Sequence, residues 1–543
     1  WWKDLNVTLT TNKYVDLETI YRFDPTTEHM GGAGNARKWL GKSAQLKVNE
    51  TETSSRPNNQ GLKQGGYGKI KIHEHSLWSQ LSHFDEIGAA LWFKYVEGLP
   101  NKMICDNEHL VFCEDMLVKV SRSFAAVIKQ LPTDLCKDIM VFYLVLRALD
   151  TVEDDMTAFK GVEEQKIHHL NTFYTYLDRD GWTMDGVGEA DEKILLQNFH
   201  HVVTIFKSLP HASQAVIKDI TRRMGQGMAS FVEKDLGEGT VKLADYNLYC
   251  HYVAGMIGEG LSNLFTCTGY ESAKVAAVAK TTANTMGLFL QKTNIIRDYL
   301  EDYTDGRTFY PQEIWKKYSN SGELGEFTRP EARDRAVACL NDMVTDALQC
   351  IPECLVYMEL LQTEETFRFC AIPQVMAIAT LSELYGNPKV FTGVVKIRKG
   401  TAAKLILECK SLSALHKCFY EYSVDILRRV KDTDPSAANT REICNRVIEL
   451  TSRRAWTQIA GGHASTLNTI SPVLLGVSSC ILWRNVDFTN TTSSTILNLF
   501  SSQTIKLTTH ADIVAAGVAL GSIFFMLGYS IVTTARVGLR KGQ

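Results

Sequence analysis

The stretch "IMVFYLVLRALDTVEDDM", residues 139 to 156, is apolar enough for a protein core, yet it carries Asp150, Glu153, Asp154 and Asp155 within six positions. At 3.6 residues per turn, Arg147, Asp150, Glu153 and Asp154 fall within an arc of roughly 120° and share one helix face. A charge run on a helix normally marks a solvated face. Here the nearest cation is Arg147, and like charges at this spacing weaken a helix unless a cation joins them. A hard divalent ion resolves the conflict, because Mg²⁺ takes oxygen ligands and typically binds through one or two carboxylates plus substrate phosphates. Asp155 lies off the main arc and is expected to face solvent or to stand behind the metal ligands. Alone, a D-x-x-E-D pattern is short enough to arise by chance.

The pattern recurs as "DYLED", Asp298 to Asp302, again with Asp, Glu and Asp at i, i+3 and i+4. Gln291, Asn294, Asp298, Glu301 and Asp302 span roughly 100° of a second helix, so a polar stripe continues for three turns through an otherwise apolar segment. Such a stripe inside a helical bundle implies a cavity. Six carboxylates cannot face one another without cations, and two diphosphates bridged by Mg²⁺ would supply both the ions and the reason. Arg147, Arg297, Arg122 in "VSRSF" and Lys396, Arg398 and Lys399 in "VVKIRKG" could bind phosphate oxygens. Surface ion pairing is the alternative for each taken singly.

From about 76 to 455 long segments show apolar residues at helical spacing, few segments alternate as strands do, and the 543 residues include only 12 prolines. We expect an all-α fold, one large helical domain around a central cavity. Residues 1–75, rich in Gly, Asn, Ser and charge, read as a loosely ordered extension. Their "GGAG" at 31 to 34 lacks both a preceding strand and the full dinucleotide-binding spacing. A net charge of -3 gives no reason to expect nucleic acid as a partner. Thirteen cysteines without a CxxC pair are expected to be buried, reduced thiols of a cytosolic domain.

The segments "VSRSFAAVIKQLP", "FYLVLRALDTVEDDM", "YCHYVAGMIGEGLSNLF", "FLQKTNIIRDYLED", "GRTFYPQEIW", "CAIPQVMAIATL" and "VVKIRKG" resemble, in order, the blocks of the squalene synthases, head-to-head members of the trans-isoprenyl diphosphate synthases. The resemblance runs from about 76 to 400 and more weakly to 455. It implies condensation of two farnesyl diphosphates to presqualene diphosphate, followed by Mg²⁺-assisted ionisation, rearrangement and reduction by NADPH to squalene. By position, Asp150, Glu153, Asp154, Asp298, Glu301 and Asp302 match the metal-diphosphate motifs. Ser121, Arg122, Ser123, Phe124, Arg147, Gln291 and Arg297 match the substrate and diphosphate side. Tyr249 matches the tyrosine of the first half-reaction, and Phe367 and Phe369 match aromatic residues of the second. No dinucleotide fingerprint exists, so Asn294, Lys396 and Arg398 are the expected NADPH contacts. Related readings are a phytoene or dehydrosqualene synthase that stops before reduction, and a helical scaffold that has lost catalysis.

Taken as residues alone, Tyr249, Phe367 and Phe369 would more safely be core side chains. Gly255, Gly258 and Gly260 in "AGMIGEG" lower helix propensity, which calls for close packing or for room beside a prenyl chain.

The C-terminal region, 456–543, reads as a membrane anchor. Ile513 to Ala535 is 23 residues without a formal charge, long enough to cross a hydrocarbon core of roughly 30 Å. A second apolar stretch, 463–483, contains Pro472 and several polar residues and is the weaker span. The family is bound to the endoplasmic reticulum membrane, and we expect the same here, for a monomer whose catalytic domain faces the cytosol. Arg536, Arg540 and Lys541 follow the last span without an acid, so the positive-inside rule favours a two-span hairpin with a cytosolic tail. In sealed vesicles a C-terminal epitope should therefore be digested by added protease. Protection of the epitope would indicate a single span.

Overall fold

The computed structural model of the chain describes residues 70–73, 75, 83, 86, 88–90, 107–121, 123–234 and 236–454. Arg122, the side chain of Ser123, most of the expected N-terminal extension and both expected membrane spans lie outside the described residues. The principal helices, numbered in chain order, are α1 (Glu108–Ser121), α2 (Thr133–Asp154), α3 (His211–Val232), α4 (Leu243–Cys250), α5 (Met256–Cys267), α6 (Asn284–Arg297), α7 (Tyr299–Thr304), α8 (Arg333–Leu348), α9 (Glu364–Leu384) and α10 (Leu412–Arg429). The expected all-α class holds. The described residues include one small sheet, in which β1 (Ile72–His73) pairs in parallel with β2 (Val394–Val395), Ile72 opposite Val394.

Two helices are buried on nearly all sides, as continuous apolar runs require. One is α2, which starts after Pro132, a residue whose fixed φ and missing N–H suit a helix entrance. Asp155 ends it. The Asp155 carboxylate accepts N–H bonds from Thr157 and Ala158, each at 2.8 Å, and from Gly188 at 2.8 Å. Those bonds hold its pKa below the usual carboxylate range against the opposing effect of burial. Asp155 is half-buried, and its carboxylate ties the end of α2 to the turn at Thr157 and Ala158 and to Gly188. The other buried helix, α9, is the one described helix long and apolar enough to cross a membrane, but 89% of its apolar window is packed inside the bundle. The described cysteines are all free, and all but Cys267 are buried.

Between α4 and α5 the chain makes a π-turn at His251–Gly255, and a second at Ala279–Ala283 leads into α6. Such wide turns re-aim the residues around them. Where α5 and α6 meet, glycine lets backbone touch backbone. A Cβ on Gly258 would lie 2.2 Å from the Ala283 carbonyl oxygen, and one on Gly287 would lie 2.2 Å from that of Ala254. Gly255 and Gly260 are equally confined, by Asn284 and by Phe142. The "AGMIGEG" glycines therefore serve close packing. Because neither backbone can retreat, Gly287→Ala should lower stability by at least about 1–3 kcal/mol, read as a shift in the denaturant midpoint. An unchanged midpoint would refute the backbone contact.

Candidate active site

The carboxylates of the two motifs sit at helix ends. Asp154 is the last residue of α2, Asp298 caps the C-terminus of α6, and Glu301 and Asp302 lie in the first turn of α7. The ends of α2 and α6 add the partial negative charge of their unpaired carbonyls. The two clusters are close enough to sense each other. Burial first, then the negative charges of Asp298, Glu301 and Asp154, push the Asp302 carboxyl well above the usual carboxylate range. The acids of one motif thus bear on a member of the other, as a shared site requires.

Arginines keep this assembly together. Arg147 is buried, donates to Glu192 and stands 3.8 Å from Asp150. Burial would strip its proton, but Glu192, Tyr143, Asp150 and Asp154 outweigh that and raise its pKa. Arg297 grips Asp298 with two bonds, Nε to Oδ1 at 2.8 Å and Nη2 to Oδ2 at 2.7 Å. Arg307 spans the gap between the motifs. Its guanidinium donates to Glu153, to Asp154 Oδ1 at 3.1 Å and to the Tyr249 hydroxyl at 3.2 Å, while its backbone N–H donates to the Asp302 carbonyl at 3.0 Å. Burial lowers its pKa to about 10, with Asp150 opposing. Sequence reasoning missed Arg307, although "GRTFYPQEIW" contains it; tallying cations against so many acids would have pointed to it. It also missed Glu192, whose short helix, Ala190–Gln197, carries no sign of the site.

Tyr249 lies where α4 meets the π-turn, buried, with its ring stacked on Phe309 at 3.9 Å and edge-on to Phe231 at 5.3 Å. Burial, Asp154, Asp150 and Asp302 all hold its proton on, well above the ordinary tyrosine value. It is a neutral phenol whose oxygen accepts from Arg307.

Below the acids lie two chambers. One of about 400 Å³ follows α2 through Ile139, Phe142, Tyr143 and Leu146 and ends at Arg147 and Asp150. The other, about 670 Å³, follows α6 through Ala283, Met286, Gly287 and Leu290 to Asn294, one turn before Asp298. Phe124, Ile257, Leu261 and Phe369 line both chambers and form the partition, with the Phe124 and Phe369 rings edge-on at 5.6 Å. Phe367, two positions before Phe369 and so on another helix face, lines neither chamber and packs in the core.

Asn294 Oδ1 is buried without a hydrogen-bond partner in the larger chamber, and Gln291 is half-buried on the same helix. The Ser121 hydroxyl is turned back to the Leu117 carbonyl. Arg398 is engaged by Glu86 through two bonds at 2.8 and 2.7 Å and lies 3.6 Å from Glu383. Lys396 offers its carbonyl to His75 at 2.8 Å. The β2 segment that carries these two basic residues is tied to α7 by the rings of Phe391 and Tyr299, 4.9 Å apart. Among the described residues no three His, Cys, Asp or Glu groups converge tightly enough to hold a metal ion by themselves.

Removing Arg307 would leave Glu153 buried and uncompensated. Arg307→Ala should therefore destabilise the fold by about 3–5 kcal/mol, and Glu153→Gln on top of it should restore part of the loss in chemical denaturation. Full stability of the single variant would show that the bridge carries no weight.

The family model described as squalene/phytoene synthase matches residues 117–401. The squalene synthase ERG9 of Candida albicans is 45% identical over 363 residues, covering 66% of this chain and 80% of that protein. Squalene synthase 1 of Arabidopsis thaliana is 41% identical over 420 residues, covering 76% of this chain and 100% of that protein. Among solved structures, TcSQS in complex with the ligand BPH1237 superimposes with a TM-score of 0.61 at 40% identity, covering 64% of this chain and 99% of that one.

Proposed function

The chain belongs to the squalene/phytoene synthase family, and from that premise we propose that it is a farnesyl-diphosphate farnesyltransferase that makes squalene from two farnesyl diphosphates. One observation carries this reading: two acid motifs that share one electrostatic site stand over two apolar chambers that meet at Phe124, Ile257, Leu261 and Phe369. An enzyme that joins two identical prenyl diphosphates needs two such chambers and one place for their charged ends.

In the first half-reaction one farnesyl group loses diphosphate as its C1 bonds to the C2–C3 double bond of the other. Loss of a proton then closes the cyclopropane of presqualene diphosphate. In the second half-reaction the remaining diphosphate leaves and the cyclopropylcarbinyl cation rearranges; NADPH, when bound, would supply the hydride that this cation needs to become squalene. The crowded carboxylates fit Mg²⁺, since this ion needs only one or two of them besides phosphate oxygens. Asp150, Glu153, Asp154, Asp298, Glu301 and Asp302 would hold it, and when bound it supplies positive charge to the departing diphosphate. Arg147, Arg297 and Arg307 add fixed positive charge at the same end. Tyr249, held as a neutral phenol, is a weak base and contributes its position and its electron-rich ring and oxygen. Phe124 and Phe369 keep water from the cations and offer ring faces to them.

The orphaned Asn294 oxygen in the larger chamber fits a reductant that carries hydrogen-bond donors. Lys396 and Arg398 would meet the cofactor's phosphates, which requires Arg398 to share itself with Glu86. The reading extends to a monomer attached to the endoplasmic reticulum membrane through 456–543, with the catalytic domain towards the cytosol; its support is the uncharged stretch 513–535.

Incubation of the purified protein with farnesyl diphosphate, Mg²⁺ and NADPH should yield squalene. Omission of NADPH should prevent squalene formation, and EDTA should abolish turnover. Dehydrosqualene as the sole product, with or without NADPH, would overturn the assignment.

A further inference from the structure

The larger chamber is lined mainly by hydrocarbon, yet Gln374 of α9 reaches into its wall while only 1% exposed. Its Nε2 donates to the backbone carbonyl of Met286 on α6 at 3.3 Å. A carbonyl can only accept, so this bond fixes which end of the amide is which. The other end, Oε1, is buried and has no hydrogen-bond partner. An unpaired buried oxygen costs free energy that an apolar side chain of similar size would not. Packing alone therefore does not account for a glutamine here.

Its depth in the chamber does. Met286 precedes Asp298 by twelve residues on α6 and its C-cap, or about 18 Å along the axis at 1.5 Å per residue. Gln374 thus bridges α9 and α6 towards the end of the chamber remote from the acids, where Ala283 is the one lining residue farther back along this side of the wall. Pro373 beside it has no N–H and a fixed φ, which stiffens the backbone from which the amide projects.

We propose that the Gln374 amide, braced against Met286, is the floor of the larger chamber and sets the length of prenyl chain accepted there. This rests on the reading above, in which a prenyl diphosphate lies along α6 with its charged end at Asp298, Glu301 and Asp302. A fifteen-carbon tail ends at the amide. A tail one isoprene unit longer must displace it and break its bond to Met286.

The test uses the full chain, with farnesyl and geranylgeranyl diphosphates as competing substrates. Binding of their non-hydrolysable thiodiphosphate analogues is measured in parallel by calorimetry. Gln374→Ala should raise the twenty- to fifteen-carbon ratio of kcat/KM by about tenfold or more, and the analogue affinities should move the same way. Gln374→Leu, which refills the space, should leave the ratio within about threefold of the wild type. Met286→Ala opens the same floor from the other side and should shift the ratio in the same direction, which keeps the test decisive if Gln374→Ala folds poorly. An unchanged ratio in both alanine variants would overturn the proposal, as would equal relaxation by Gln374→Leu. If the wild type makes no squalene, the functional reading fails; if it does and the alanine variants keep their fifteen-carbon preference, only the floor fails.

Discussion

Repulsion among carboxylates is the constraint that the catalytic end of this molecule is built around. The ends of α2 and α6 and the first turn of α7 deliver acids to one place, and the C-terminal dipoles of the two longer helices add negative charge to it. The protein answers with arginines in fixed positions: Arg297 clamped on Asp298, Arg147 between Asp150 and Glu192, and Arg307 across the gap to Glu153 and Asp154. The compensation is incomplete, since Asp302 still holds its proton well above the carboxylate range. A site balanced in this way is stable enough to fold and still favours incoming positive charge.

Much of this was legible in the sequence because it rests on local spacing. Helical periodicity gave the all-α class, and the i, i+3, i+4 acids announced themselves as a repeated pattern. What escaped were contacts between residues remote in the chain. Arg307 meets Glu153 across 154 positions and Arg147 meets Glu192 across 45. No periodicity encodes either pairing. The two-residue strands are likewise too short to show alternation.

Phe367 and Phe369 show a second limit. Both lie in one apolar helix and both are buried, so composition treats them alike, but an i, i+2 relation turns them to different neighbours. One divides the chambers and the other fills the core. Asp155 shows the converse, an acid beside the first acid motif whose bonds tie the end of α2 to the following turn and to Gly188. Its neighbours Glu153 and Asp154 point to different work because α2 has not yet ended there.

The pairing of β1 with β2, together with the grip of Glu86 on Arg398, gives residues well before the main bundle a hold on "VVKIRKG". Thr401 adds a third bond to the same carboxylate at 2.9 Å. The early segment thus works as a clasp on this basic loop. Trimming the chain back to its first long helix would discard that clasp, leaving the acid site's own helices complete and the basic loop unfastened. The packed unit, drawn by what holds its loops in place, begins earlier than the boundary drawn by its first long described helix.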